Sequence, residues 1–199
     1  MNNVLIDSLP EEWNGYRLNT DFTIGIQIMQ VQYDNALADF EKMNMFLELL
    51  FGEDDGTLRE HPAGDEFEQC VKWFLNGWFH DHPEKDRDSG RDVDYDTDQW
   101  RIYADFLQVY GIDLSVTDMH WWKFCGLLWN MPYKLSAFQQ VVYARTEVPE
   151  RGASVEDRKR INGNKKRYAI EQINETKEYT RGEKEAIDAY DRMMEERRK

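Results

Sequence analysis

The sequence predicts a mainly α-helical fold: a compact bundle of about six helices, with a small N-terminal β-hairpin and a helical C-terminal extension. Apolar residues recur at spacings of three and four along much of the chain, which places them on one side of successive helices. Aromatic residues make up 14% of the chain, and this proportion is enough to fill a core. Glycine or proline follows several of the periodic segments, as is typical of helix ends.

The hairpin is predicted within residues 3–19, where residues 3–9 would pair with residues 16–19. Asn14 and Gly15 would form the turn, because this pair favours the tight turns that join antiparallel strands. A two-stranded hairpin is only marginally stable by itself, so we expect it to lie on the helices.

Three helices are predicted after the hairpin. The first begins at Thr20 or Asp21 and runs to about Tyr33, although the run TIGIQIMQV also alternates as a strand would. The second covers roughly residues 35–51. The third begins at Asp65, and its apolar residues are Phe67, Cys70, Val71, Phe74, Leu75 and Trp78.

Residues 81–98 form the most polar stretch of the chain, and we expect this stretch to be exposed. A fourth helix is predicted to begin at Asp96 or Thr97. A last helix of the bundle follows from about Leu135. The apolar repeat of the fourth helix consists of Trp100, Tyr103, Leu107 and Tyr110, with Phe106 alongside.

Residues 110–132 are predicted to contain the central helix of the core. Gly111 would end the preceding helix in a left-handed conformation, and Pro132 would end this one. Ser115 and Thr117 are both candidates for its N-cap. The segment is apolar on most of its circumference, which is typical of a helix that is buried on most sides. Its large apolar residues are Trp121, Trp122, Phe124, Leu127, Leu128, Trp129 and Met131.

Charge divides the chain into two predicted parts, an acidic helical core domain at residues 1–150 and a mixed-charge helical extension at residues 151–199. The whole chain carries a net charge of −14. The extension holds 14 Lys and Arg against 11 Asp and Glu, a net charge of +3, which leaves −17 on the core domain. Such a core domain would repel nucleic acid phosphates and favour basic protein surfaces. No segment approaches the roughly 20 apolar residues of a membrane-spanning helix, and no signal peptide is recognisable.

One acidic cluster imitates a calcium-binding loop. Asp94, Asp96, Asp98 and Asp105 have the spacing of its first, third, fifth and twelfth positions. The sixth position, however, is Gln99 where the loop needs Gly, and the twelfth is Asp where Glu is usual. We therefore interpret the cluster as a solvated acidic loop that leads into a helix.

A second cluster, His80-Asp81-His82, has the residue types of a metal site. Adjacent residues rarely converge on one ion, and no third ligand follows at a fixed helical spacing. Exposed loop histidines are the favoured interpretation. A metal-dependent enzyme that uses His80, His82 and the acidic run remains an alternative.

No other catalytic motif supports an enzyme, since the sequence has no GxSxG elbow, phosphate-binding loop or dinucleotide fingerprint. Cys70 and Cys125 lie in apolar helical patterns, which favours buried free thiols rather than activated nucleophiles. We expect the ring of His120 to be hydrogen-bonded in or at the edge of the core, with Lys123 extending to solvent. The chain is therefore predicted to have no catalytic residue, bound metal or cofactor.

The last helical segment is the one place where an interaction surface is favoured. Ile187, Tyr190 and Met194 form a short apolar stripe on a charged helix, and this stripe has too little area to build its own core. We predict that these three residues bind a partner. The alternative is that the helix packs on the rest of its own chain.

The central segment also carries a resemblance to a known family. The segments that carry the resemblance are YGIDL, HWWKF, an apolar GLL run and Arg145. The sequence resembles a small protein family encoded in the tail region of long-tailed phages of Gram-positive bacteria, beside the tape-measure gene. The match is densest over residues 98–145, extends more loosely from NTDF (residues 19–22) to KKRYAI (residues 165–170), and leaves out residues 171–199. Its signature residues here are Tyr110, Asp113, His120, Trp121, Trp122, Phe124 and Arg145.

The resemblance implies a tail assembly chaperone, which binds the hydrophobic tape-measure protein and keeps it soluble while tail tube subunits assemble around it. The tail tube protein is a second expected partner, and homo-oligomers are expected because such proteins often act as several copies per client. The chaperone would work in the host bacterial cytoplasm and be absent from the mature virion. A structural tail or connector protein that stays in the virion is the alternative function.

Overall fold

The computed structural model describes residues 3–78, 92–170 and 178–197. The chain divides into two compact units: unit 1 comprises residues 1–74 and 172–199, and unit 2 comprises residues 75–171. Unit 1 is therefore discontinuous in sequence. The predicted division into residues 1–150 and 151–199 rests on charge and stays a prediction.

The described residues form eight helices and one two-stranded hairpin. The prediction of a mainly helical fold with a small N-terminal hairpin is confirmed, but the helices number eight rather than about six in these residues, because the extension alone contributes two. The elements are β1 (Glu12–Trp13), β2 (Tyr16–Arg17), α1 (Phe22–Tyr33), α2 (Asp39–Phe51), α3 (Asp65–Asn76), α4 (Tyr95–Tyr110), α5 (Trp121–Trp129), α6 (Ala137–Thr146), α7 (Val155–Arg167) and α8 (Arg181–Arg197).

The hairpin is shorter than predicted. Asn14 and Gly15 make the turn, with φ of 51° and 91° respectively, as expected for this pair. The prediction of a first strand at residues 3–9 is wrong, because this segment forms local turns instead. The N–H groups of Ile6 and Asp7 both donate to the carbonyl of Asn3, at 2.9 and 2.8 Å, and these local bonds replace strand pairing.

Helices α1 and α2 pack against each other in unit 1. Asp21 caps α1 as predicted, its carboxylate accepting from the Thr23 N–H at 2.9 Å, and the strand interpretation of this segment is wrong. Asn19 fixes the entry to α1 by donating from Nδ2 to the carbonyls of Leu49 and Gly52, both at 3.0 Å. The buried apolar residues of this unit include Leu18, Phe22, Ile28, Val31, Phe46, Leu50, Phe51, Phe67, Cys70, Val71 and Phe74.

Unit 2 is built from α4, α5, α6 and α7. The prediction that the tryptophan-rich helix lies in the core is confirmed, since Trp121 and Trp122 are both buried. The rings of Phe106 and Phe124 stack at its centre with centroids 5.2 Å apart. The other buried apolar residues include Tyr95, Ile102, Met119, Cys125, Leu128, Met131, Phe138, Val141, Val142, Ala144 and Ile161.

Two of the predicted helix starts in unit 2 are wrong. Helix α4 begins at Tyr95, because Asp94 rather than Asp96 or Thr97 is the N-cap, accepting from the Thr97 N–H at 2.7 Å. Gly111 ends this helix with φ of 66°, in the predicted left-handed conformation. Helix α5 begins at Trp121, later than expected from the N-cap candidates Ser115 and Thr117.

The hydroxyls of Ser115 and Thr117 form hydrogen bonds within the turn that precedes α5. Asp113 Oδ1 accepts from both the N–H and the hydroxyl of Ser115, at 3.0 and 2.6 Å, and the Thr117 hydroxyl donates to the Asp113 carbonyl at 2.6 Å. Such local bonds compete with helix formation. The N-cap is His120, whose Nδ1 accepts from the Trp122 N–H at 3.0 Å.

The face of α4 that is buried is not the apolar repeat read from the sequence. Trp100 is 75% exposed and Leu107 is 47% exposed. The buried residues lie on the other side of the helix, and they include two carboxylates. These buried residues are Tyr95, Asp98, Ile102, Asp105 and Phe106.

Candidate functional site

The carboxylate of Asp98 is the centre of a buried polar cluster in unit 2. It accepts two hydrogen bonds from Arg145, at 2.6 Å to Oδ2 and 3.0 Å to Oδ1. Arg101 donates to Oδ1 at 3.0 Å, and the backbone N–H of Asp94 donates to Oδ2 at 3.2 Å. Four hydrogen bonds, three of them from arginine side chains, hold this buried carboxylate in one position.

Arg145 connects this cluster to other segments. Its side chain is only 7% exposed. Besides the pair with Asp98, it donates from Nε to the carbonyl of Tyr168 at 2.6 Å and from Nη1 to the carbonyl of Asp92 at 2.9 Å. The predicted signature residue Arg145 therefore joins α6 to α4, to the end of α7 and to the segment before α4.

A second buried carboxylate, Asp105, holds the start of α6. Its Oδ2 accepts from the Ser136 hydroxyl at 2.6 Å and from the Phe138 N–H at 2.9 Å, and its Oδ1 accepts from the Ala137 N–H at 3.1 Å. The Ser136 hydroxyl in turn caps α6 by accepting from the Gln139 N–H at 2.9 Å. A negative charge at a helix N-terminus is stabilised by the free N–H groups and the helix dipole.

The other signature residues surround the aromatic core. Tyr110 donates its hydroxyl to the Leu127 carbonyl at 2.9 Å, which connects the end of α4 to α5, and burial raises the pKa of Tyr110. Trp121 stacks on Phe124 with ring centroids 5.7 Å apart. His120 lies half-buried as the cap of α5, so the expectation of a hydrogen-bonded ring at the core edge is confirmed.

Asp113 lies in the exposed turn between α4 and α5. Hydrogen bonds from the side chain and the backbone of Ser115, with a smaller one from Tyr103, lower the pKa of this carboxyl. Asp113 therefore stays ionised in this turn.

The predicted partner stripe on α8 lies against α2 and the residues just before it, within unit 1. The rings of Tyr190 and Phe40 are 5.7 Å apart, and half-buried Ile187 lines a groove with residues 35–38. The side chain of Met194 lies outside the described residues. For Ile187 and Tyr190 the structure shows the alternative, a helix packed on its own chain, while a partner role for the stripe stays a prediction.

Tyr179 fixes the segment that leads into α8. Its hydroxyl accepts from the Ala38 N–H at 3.0 Å and lies 2.8 Å from both the Ala36 carbonyl and Glu41 Oε2. Glu41 Oε2 also accepts from the Ala38 N–H at 3.1 Å. These contacts bind the C-terminal segment to the connection between α1 and α2.

An open cleft of about 770 Å³ lies in unit 1 between the hairpin, the start of α1 and the loop after α2. Two arginines and several carboxylates line it. Arg59 donates to Glu53 Oε1 at 3.0 Å and to Asn19 Oδ1 at 2.9 Å, while Arg17 pairs with Glu11 at 3.7 Å. Both arginines of the cleft are therefore paired with carboxylates of the same cleft.

The calcium-loop pattern does not form a metal site. Asp94 caps α4, Asp98 pairs with Arg145, and Asp105 holds α6, so the carboxylates of the pattern do not converge. The interpretation of the cluster as solvated is wrong for Asp94, Asp98 and Asp105, which are buried, whereas Asp96 is exposed as predicted. Among the described residues, no group of three or more His, Cys, Asp or Glu side chains could hold a metal ion. The predicted His80-Asp81-His82 cluster lies outside the described residues.

Cys70 and Cys125 are free and buried. Burial, with a smaller contribution from the charge of Glu66, raises the pKa of Cys70 to about 12. Burial also raises the pKa of Cys125 well above its ordinary value. Because the thiolate is the reactive form, neither thiol is activated as a nucleophile.

The hydrogen bonds of the buried polar cluster hold the helices of unit 2 together. In the part of the chain that the structure describes, every buried side-chain nitrogen and oxygen has a hydrogen-bond partner. Sequence reasoning missed Asp98 and Asp105 as buried anchors. Their spacing was a usable signal, because they lie at helical intervals with the buried residues Ile102 and Phe106.

Comparisons with known proteins give one match. A family model described as "Bacteriophage Gp15 protein" matches residues 1–170, and residues 171–199 lie beyond it. No curated protein and no solved structure matches the chain. None of the helices in the described segments has both the length and the apolar character needed to cross a bilayer.

Proposed function

Because the chain belongs to the Bacteriophage Gp15 protein family, we propose that it is a phage tail assembly chaperone that binds and solubilises the tape-measure protein during tail morphogenesis. The family match over residues 1–170 is the observation that carries this proposal, since it assigns the protein to phage biology. The resemblance of the YGIDL and HWWKF segments to proteins encoded beside the tape-measure gene supports the finer role.

The charge distribution supports a holding role. Residues 1–150 carry a net charge of −17, which suits a basic or aggregation-prone client and keeps the complex in solution. Apolar residues remain exposed on this acidic surface, including Trp100 and Val116. Such a surface can hold a hydrophobic chain through several weak contacts and release it during assembly. The tail tube protein is a second proposed partner.

We also propose that the protein is not an enzyme. The buried carboxylates Asp98 and Asp105 are saturated with hydrogen bonds, and both thiols are buried, which supports a structural role for these groups. Metal analysis of protein purified without chelator tests the alternative that uses His80 and His82. One or more equivalents of tightly bound metal would favour that alternative.

The proposed place of action is the host bacterial cytoplasm, with the protein absent from the mature virion. Mass spectrometry of purified particles tests this directly. A chaperone leaves at most trace peptides, whereas a structural tail or connector protein would be present in a fixed ratio to the tail proteins. Light scattering of the purified chain tests the expected homo-oligomer.

The decisive experiment is co-expression with the tape-measure protein of the same phage. We expect the tape-measure protein to become soluble and to co-purify with this chain. An unrelated helical protein of similar size and negative charge serves as the control for non-specific solubilisation. A version that ends at residue 170 tests whether the predicted contact through Ile187, Tyr190 and Met194 contributes. If the client stays insoluble and nothing co-purifies, the proposal is wrong.

A further inference from the structure

Four neighbouring residues form an exposed, largely apolar surface on the outer side of α4. Trp100, Tyr103, Ala104 and Leu107 occupy positions i, i+3, i+4 and i+7 of the helix, so their side chains are adjacent. Trp100 is 75% exposed, Leu107 is 47% exposed, Ala104 is exposed and Tyr103 is half-buried. We refer to these four residues as the α4 outer face.

This surface is unusual for the exposed side of a helix. The inner side of α4 carries Asp98 and Asp105, whereas the outer side carries a tryptophan, a tyrosine and a leucine. The distribution of polar and apolar residues on α4 is thus partly the reverse of that on an ordinary surface helix, in which the large apolar residues face the core. Contiguous exposed apolar surface of this kind marks a site of interaction. Trp and Tyr are also the residue types that contribute most to binding at protein interfaces.

The geometry of the four residues fits another helix. Residues at i, i+3, i+4 and i+7 outline the hole that receives a side chain from a facing helix in knobs-into-holes packing. Here Ala104 leaves space inside the hole, while Trp100, Tyr103 and Leu107 form its walls. The rings of Trp100 and Tyr103 meet edge to face with centroids 6.0 Å apart, so two walls of the hole pack on each other.

Two acidic residues of the described segments lie near this surface. Asp96 lies one turn before Trp100 on the same side of α4. Asp113, beside Tyr103, stays ionised because Ser115 and Tyr103 lower its pKa. The only basic residue of α4 is Arg101, and its guanidinium is bound to buried Asp98. A partner helix with Lys or Arg beside its apolar stripe complements this arrangement.

We propose that the α4 outer face is the binding site for a basic amphipathic helix of a partner protein, whose apolar side chain enters the hole formed by Trp100, Tyr103, Ala104 and Leu107. The identification of that partner with the tape-measure client rests on the proposed function. The inference moves the principal contact with the client from the α8 stripe, which packs on residues 35–40, to a helix whose apolar residues are exposed.

The surface is tested first without the client. The probe is a labelled synthetic 18-residue helical peptide with Leu at positions i, i+4, i+7 and i+11 and Lys beside them, and binding is measured by fluorescence anisotropy. The full-length chain should bind this peptide. Leu107→Glu should weaken binding at least tenfold, and replacing every Lys of the peptide by Glu should abolish it. Leu135→Glu is the matched control, because Leu135 is a 55% exposed leucine outside α4.

Each result of the peptide test has a defined meaning. Circular dichroism and the thermal midpoint first establish that both variants are folded. Both variants add the same negative charge. A difference in peptide affinity between them therefore reflects the position of the substitution and not the change in net charge. Absence of peptide binding, or equal weakening by Leu107→Glu and Leu135→Glu, overturns the proposed surface. Trp100→Ala provides a second, charge-neutral variant that should also weaken binding.

Co-expression with the tape-measure protein then separates this inference from the proposed function. Loss of client solubility with Leu107→Glu, but not with Leu135→Glu, supports both. If the client is solubilised equally by all variants, the chaperone role stands and the α4 outer face is not its site. If the peptide binds at this face but the tape-measure protein is never solubilised, the binding surface is supported and its assignment to the tape-measure client is wrong. A dimer of the full chain that Leu107→Glu dissociates would show that a second copy occupies the face, which contradicts the proposed occupant.

Discussion

Asp98 and Asp105 show how single carboxylates can organise a small helical unit. A charge in the protein interior is costly unless it is paired and hydrogen-bonded. Asp98 meets this condition with two arginines, and Asp105 meets it with one hydroxyl and two backbone N–H groups. Each carboxylate therefore fixes the position of α6 relative to α4, at different points along both helices.

The first prediction concerns the Asp98–Arg145 pair. Asp98→Asn should lower the free energy of unfolding by about 3–5 kcal/mol, because it leaves the buried guanidinium of Arg145 without its counterion. Arg145→Met should cost less, since Arg101 still pairs with Asp98. Urea denaturation measures both. The control is Arg181→Ala, which breaks an exposed pair with Glu185 and should cost under about 0.5 kcal/mol. A loss below about 1 kcal/mol for Asp98→Asn would contradict the buried-pair interpretation.

The second prediction concerns Cys70 and pH. Burial raises its pKa in the folded chain from 9.0 to about 12, so the unfolded chain releases this proton first. Stability is therefore fully present below pH 9 and is lost as the pH rises towards 12. In urea titrations at pH 8 and pH 10.5, the wild type should lose more stability over this interval than Cys70→Ala, which cannot titrate there. Equal losses in the two proteins would show that this thiol does not titrate differently on unfolding.

At this scale, sequence reasoning located apolar residues better than polar ones. Cys70, Cys125 and the two adjacent tryptophans were predicted to be buried from periodicity, and they are. Asp98 and Asp105 were treated as solvated, because a pattern that sorts residues into apolar and polar does not show which donors will converge on a carboxylate. The donors to Asp98 include Arg145, 47 residues later, which no local rule connects to it.

At the scale of single elements, α5 shows that the start of a helix depends on competition between caps. Ser115 and Thr117 are good N-cap residues, but Asp113 engages both in a turn. The chain therefore enters the helix only at Trp121, with an imidazole nitrogen in the role that a hydroxyl or carboxylate usually takes. Propensity alone did not distinguish these candidates, whereas the αL ending at Gly111 was predictable because only glycine adopts it at low cost.

The third prediction tests this cap. His120→Ala should lower the free energy of unfolding by about 1 kcal/mol, because the Trp122 N–H loses its acceptor. His120→Asn should recover most of this loss, since a short amide side chain accepts the same bond. Chemical denaturation measures the two variants. If Asn is no better than Ala, the role of His120 lies in its ring packing on Trp122 rather than in capping.

The fourth prediction concerns the segment before α8. Tyr179→Phe removes the hydroxyl that contacts Ala36, Ala38 and Glu41 while keeping the ring. Amide hydrogen exchange in α8 should become faster, since the helix loses one of its attachments to residues 36–41 of unit 1. Tyr133→Phe is a suitable control, because Tyr133 is an exposed tyrosine of unit 2. Unchanged exchange in α8 would mean that the packing of Tyr190 and Ile187 is sufficient to hold it.

At the scale of the whole molecule, the fold class followed from periodicity, but the two units did not. Helix type and approximate bounds depend on local spacing, which a sequence shows directly. The composition of unit 1 depends on Tyr179 meeting residues 36–41, about 140 positions away. Likewise, the α4 outer face could not be identified beforehand, because its residues have the spacing of a buried face. Only packing decided which side of α4 was covered.

The last prediction concerns removal of residues 171–199, which lie beyond the family match. This truncation deletes α8 and Tyr179 from unit 1 but leaves α4–α7 of unit 2 intact. We therefore expect faster hydrogen exchange in α2, where Phe40 and Glu41 lose their contacts, and unchanged exchange in α5. Equal acceleration in both helices would mean that the extension stabilises the entire chain. Protection of α2 without α8 would instead show that the family-matched segment is stable by itself and that the extension is available for another contact.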